Sequence, residues 1–109
     1  MEERRADVRM LCADVVEVSW TDAAGAEHHC NALLEDISAS GACLQFENAV
    51  PEGCTVRFLC SGAELEGRAR YCVYREIGYF VGVGFTPGRR WSRHNFEPRH
   101  LLDPRRFLK

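Results

Sequence analysis

Leu65-Glu66-Gly67-Arg68-Ala69-Arg70-Tyr71-Cys72-Val73-Tyr74 is the stretch that decides the fold. Leu65, Gly67, Ala69, Tyr71 and Val73 alternate with Glu66, Arg68, Arg70, Cys72 and Tyr74, the period of two of a half-buried strand. Turn signals bound it on both sides: Ser61-Gly62 before it and Arg75-Glu76-Ile77-Gly78 after it. Outward from this strand the same grammar repeats. Residues 79–85 form the last expected strand, with Gly82 and Gly84 alternating in it, glycines that mark a tight bend or a close backbone approach. Upstream, residues 55–60 place Val56, Phe58 and Cys60 on one side, and residues 42–46 form a further short strand. Residues 15–21 carry Val16, Val18 and Trp20 on one face, and residues 27–35 continue through His28, Cys30, Ala32 and Leu34. Asp22-Ala23-Ala24-Gly25 joins these last two as a hairpin.

Six short strands at regular spacing predict an all-β fold, a six-stranded antiparallel β-barrel or a small sandwich. At 109 residues the chain builds one domain with a modest core. Beyond Pro87-Gly88, residues 89–109 read as a short C-terminal helical segment interrupted by Pro98 and Pro104. Trp91, Phe96, Leu101, Leu102 and Phe107 are its candidates for packing across a barrel opening. The expected division is an N-terminal arm over 1–10, the barrel over 11–88 and the tail over 89–109.

The formal net charge of −2 conceals an asymmetry: residues 1–88 carry net −7 and residues 89–109 net +5. A basic tail suits an acidic partner or nucleic acid, and equally a solvated segment that offsets an acidic barrel. No apolar run approaches the roughly 18 residues of a membrane span, and Met1-Glu2-Glu3-Arg4-Arg5 has no apolar signal core, so a cytoplasmic protein is expected. The six cysteines, Cys12, Cys30, Cys43, Cys54, Cys60 and Cys72, form no CxxC pair and read as buried thiols. His28-His29 beside Cys30 is the one place to argue for a metal, but neighbours on a strand point to opposite faces and chelate poorly. No metal and no cofactor are expected.

Two segments carry chemistry. Arg4, Arg5 and Arg9 cluster near the N-terminus, and the spacing of four puts Arg5 and Arg9 on one side of either a helix or a strand. Guanidinium groups bind phosphate in bidentate fashion, stack on flat rings and read the O6/N7 edge of guanine. Asp36-Ile37-Ser38-Ala39-Ser40-Gly41 offers a carboxylate that can accept from the N1–H and N2–H₂ donors of guanine. It also offers a hydroxyl for base or phosphate, and a glycine expected at positive φ where ligand approaches the backbone. Each segment alone has a plainer reading. Glu2, Glu3 and Asp7 sit among the arginines as in a solvated charged tail, and Asp and Ser before Gly make a side-chain-capped turn.

Together, in this order, the two segments resemble the PilZ domain family, receptors for the bacterial second messenger cyclic di-GMP. The family pattern is RxxxR followed some twenty to thirty residues later by (D/N)xSxxG. Here Arg5 and Arg9 match the first part, and Asp36, Ser38 and Gly41 match the second, which starts 27 residues after Arg9. Gly41-Ala42-Cys43-Leu44 and Gly82-Val83-Gly84-Phe85 are similar to further family features, and the likeness spans residues 4–88. The resemblance implies a barrel with a C-terminal helical segment and an N-terminal arm that folds over ligand. It implies that Arg5 and Arg9 contact phosphates and guanine while Asp36 and Ser38 hold a guanine from below. Arg4 stands just before RxxxR, where a basic residue goes with an intercalated ligand dimer, two per chain. With three residues ahead of Arg4, no output domain is expected on that side, so the signal is expected to reach a protein partner through a surface altered by the arm or the tail.

Other classes fit less well. His28, His29, His94 and His100 lie outside any nucleophile or metal motif and no glycine-rich phosphate loop is present, so no enzyme is expected. The acidic barrel opposes a nucleic-acid track, despite Trp91 and Phe96 in the basic tail. A PilZ-like adaptor that acts only through protein contacts and binds no cyclic di-GMP is the nearest alternative. Such members generally lack the arginine motif present here.

Overall fold

The computed structural model describes residues 8–87, 91–92, 97–98 and 102. Six strands follow in chain order: β1 Met10–Thr21, β2 Glu27–Ile37, β3 Gly41–Phe46, β4 Thr55–Cys60, β5 Ala63–Arg75 and β6 Gly78–Phe85. They close into a barrel in the order β1-β2-β3-β6-β5-β4, and every neighbouring pair is antiparallel. The fold is all-β, and no helix occurs among the described residues. The helical turns expected over 89–109 fall largely outside those residues, as do Arg4 and Arg5.

The turns explain why these strands pair. Asp22 Oδ1 accepts from the backbone N–H of Ala24 and Ala26 at 3.0 and 2.9 Å, and Gly25 at φ 90° completes the β1–β2 turn. Ser61 and Gly62, at φ 52° and 82°, make the two-residue β4–β5 turn, whose double positive φ matches the twist of the flanking strands. Alternation then sends one face of each strand inward. Leu34, Ile37, Leu44, Val56, Phe58 and Val81 are the largest fully buried side chains, and Trp91 joins them from beyond β6.

Two irregularities shape the outer surface. In β2 the pairing with β3 slips between Leu34 and Asp36, so Leu34 and Ile37 both face the core while Asp36 turns outward. In β5 the pairing with β6 slips between Ala69 and Tyr71, leaving Arg70 as the extra residue. The uninterrupted alternation expected over 65–74 therefore fails halfway. Leu65 and Ala69 are buried, whereas Tyr71 and Val73 emerge on the outside and Cys72 packs against the core instead. Sequence period alone carries no sign of such a phase slip, because residues 71–74 are apolar in both phases.

A second correction concerns β2. Its pairing with β3 begins only at Leu33, so residues 27–31 run past the barrel rim. His28 and Cys30 are exposed there, not buried with Ala32 and Leu34. His28 stacks on Trp20 with ring centroids 4.1 Å apart, and its Nε2 lies 2.9 Å from Asp22 Oδ2. The ring is thus engaged by the hairpin itself. All six cysteines are free thiols.

Candidate functional site

The slips in β2 and β5 align five residues across the outside of the barrel. Leu11 pairs with Asp36, Asp36 with Cys43, Cys43 with Gly82, and Gly82 with Tyr71. This row gathers the second motif from β2 and β3, and Arg9 of the first from the entry to β1. A groove of about 300 Å³ lies along it, lined by Arg9, Ser38, Gly41, Arg70, Tyr71 and Gly84 among others.

Arg9 Nη1 lies 3.4 and 3.5 Å from the two carboxylate oxygens of Asp36. The Arg9 side chain is 61% exposed and that of Asp36 only 17%. Burial pushes the Asp36 carboxyl above its ordinary pKa, and the Arg9 guanidinium pulls against that shift. In return the Asp36 carboxylate, with a smaller contribution from Tyr71, raises the pKa of Arg9. The pair joins a sheltered acceptor to an exposed, movable donor at near the limit of hydrogen-bond length.

The turn between β2 and β3 is held far more firmly. Ser38 donates its backbone N–H to the Gly41 carbonyl at 2.8 Å, and its hydroxyl reaches the same oxygen at 3.3 Å. The Ser40 carbonyl accepts from Phe85 N–H at 2.8 Å, and the Ala39 carbonyl from Trp91 N–H at 3.0 Å. Ser38 is 4% exposed, so it serves first as a turn residue. Its hydroxyl proton is directed at Gly41, and donating to a ligand means giving up that bond.

Gly41 does not take the positive φ expected of it. What demands glycine there is the neighbouring strand: a Cβ at Gly41 would lie 2.5 Å from the Val83 carbonyl oxygen. The same logic explains Gly82 and Gly84. The Tyr71 ring lies across Gly82 and the Arg70 guanidinium across Gly84, and a Cβ at either glycine would collide with them. The Tyr71 hydroxyl points to Cys43 Sγ at 4.0 Å. Burial raises the pKa of both Tyr71 and Cys43, keeping the phenol and the thiol protonated at neutral pH.

Arg9, Asp36, Ser38 and Gly41 therefore come together. Arg4 and Arg5 lie outside the described residues, and no geometry is assigned to them. Arg70 and Tyr71 are the site residues that the motifs missed. Their signal was the pair of alternating glycines on the adjacent strand, which leaves room for large side chains arriving from β5. Among the described residues no three His, Cys, Asp or Glu side chains converge as metal ligands, and no helix is long and apolar enough to cross a membrane.

The groove can hold an anion at Arg9 and Arg70 and lay a planar ring beside Tyr71; Asp36, paired with Arg9 and outside the groove lining, meets a donor edge only when Arg9 is displaced. Comparison of the chain with protein-family models, curated proteins and solved structures finds no match.

Proposed function

We propose that this chain is a cyclic di-GMP receptor of the PilZ type, a binding module and not an enzyme, which passes its signal to a protein partner. The observation that carries the reading is the Arg9–Asp36 contact at 3.4 Å. It brings one residue of each motif, 27 positions apart, into contact, which supports reading them as one site. The chemistry of the ligand suits what lies around them. A guanine presents N1–H and N2–H₂ donors to the Asp36 carboxylate, replacing a long ion pair with two hydrogen bonds. The displaced Arg9 then meets a phosphate, with Arg70 available beside it and Tyr71 offering a flat apolar face. Arg4 and Arg5 supply further guanidinium groups on the same arm, consistent with a second, intercalated ligand.

A receptor that signals needs a surface for its partner. Val73, Tyr74 and Ile77 at the β5–β6 hairpin are 42%, 64% and 72% exposed and adjoin Tyr71 in sequence. This patch also favours the adaptor reading, in which protein contact is the whole function.

Calorimetric titration of the full chain with cyclic di-GMP separates the two. The receptor reading predicts saturable heat, lost in Arg9→Ala and Asp36→Ala, with an end point near two ligands per chain if Arg4 acts as proposed. No heat at high micromolar ligand would reject the receptor in favour of the adaptor. Binding that survives both substitutions would move the site elsewhere.

A further inference from the structure

The two segments that build the groove are both held by residues from beyond the barrel. Trp91, 5% exposed and packed into the core, donates its backbone N–H to the carbonyl of Ala39, between Ser38 and Ser40. Leu102 exchanges both backbone hydrogen bonds with Leu11, at 2.7 and 2.8 Å, forming an isolated antiparallel bridge. Leu11 is two residues from Arg9 and directly opposite Asp36 in register. β4 pairs with β1 only from Glu17 onward, so Leu102 occupies the flank of β1 that β4 leaves open.

We infer that the C-terminal segment, through Trp91 and Leu102, is energetically coupled to the ligand groove: occupancy of the groove and docking of these two residues reinforce each other. The inference rests on the receptor reading and adds a regulation of that site. Its sign follows from entropy. Arg9 is exposed and lies just ahead of β1, which begins at Met10, so a ligand that draws it onto the barrel must fix residue 9 against the start of that strand. The Leu11–Leu102 bridge adds a second pairing to the same strand start, beside its ladder with β2, and steadies it in advance. Whichever forms first lowers the conformational cost of the other, which is positive coupling without any rearrangement of the barrel. The Trp91–Ala39 bond acts on the other wall, steadying the turn whose Ser38 and Gly41 face the groove. Anchors at Trp91 and Leu102 are a means of output, because a partner that takes hold of them must change ligand affinity by the same factor that ligand changes the partner's.

Leu102→Pro tests this in the full chain, since proline removes the N–H that Leu11 accepts. Leu102→Val keeps it. Coupling predicts that cyclic di-GMP binds Leu102→Pro at least about fivefold more weakly than wild type or Leu102→Val. It also predicts that ligand slows hydrogen exchange of the Leu11 amide in wild type by a similar factor. Equal affinities with unchanged Leu11 exchange would overturn the coupling and leave the receptor standing. Should wild type bind no cyclic di-GMP, the receptor reading falls and the coupling that rests on it falls with it.

Discussion

The two walls of the groove are built in opposite ways. The Asp36–Gly41 turn is tied down by backbone bonds to three partners: within itself from Ser38 to Gly41, to Phe85 and to Trp91. Arg9, facing it, is exposed and meets Asp36 through a long ion pair of 3.4 Å. One wall is preorganised and the other is loosely held. A site meant only to hold a ligand gains most from two rigid walls, because ordering a loop on binding costs affinity. A site meant to report a ligand needs one wall that changes. On the proposed function the contrast is that of a latch, with Asp36 as the strike plate and Arg9 as the bolt.

The largest expected effect comes from breaking the rigid wall. Gly41→Ala drives a Cβ against the Val83 backbone carbonyl, where no flexible side chain can yield. It should cost about 2–3 kcal/mol, lowering Tm by roughly 10–20 °C in a thermal melt. Breaking the movable wall should leave the fold alone. Arg9→Ala is expected to shift stability by less than about 0.5 kcal/mol, while weakening cyclic di-GMP binding by about thirtyfold, the loss of roughly 2 kcal/mol from a charge-assisted contact. Arg70→Ala, which leaves the ion pair intact, should weaken binding about tenfold with an unchanged melt.

The smallest effect carries the clearest sign. Burial holds the Asp36 carboxyl above its ordinary pKa in the folded protein. A group shifted in that direction favours the fold when protonated, and the favour is lost as pH rises through the folded pKa. Asp36→Asn should therefore raise Tm at neutral pH, with the difference shrinking as pH falls and the wild-type carboxyl becomes neutral. A wild type more stable than Asp36→Asn at neutral pH would show that the Arg9 contact outweighs burial. The same substitution should weaken guanine recognition, since an amide presents one acceptor oxygen and no charge where the carboxylate presents two oxygens.

Much of the fold was legible because alternation is a local signal. Val16 and Val18, Val56 and Phe58, and Leu65 and Ala69 all face inward as their period requires. Half of the site was legible for a different reason, since Arg9, Asp36, Ser38 and Gly41 lie in a recognisable order. What escaped was long-range. The slip at Arg70 arises from pairing with β6 and closure of the barrel, so nothing within residues 65–74 announces that Tyr71 changes face. The true constraint on Gly41 is likewise set by Val83, which lies forty-two positions away and is paired with Ala42 beside it. The anchors at Trp91 and Leu102 follow only from where the barrel brings Ala39 and Leu11.

The measurement that tests the latch most directly is an NMR titration of the full chain with cyclic di-GMP, following the Arg9 side-chain Nε–H together with the Ser38 and Gly41 amides. The account predicts that the Arg9 signal shifts strongly and its exchange with water slows, while the Ser38 and Gly41 amides shift but stay as protected as in the free protein. An Arg9 signal that does not respond to saturating ligand, or a turn that gains its protection only on binding, would contradict it.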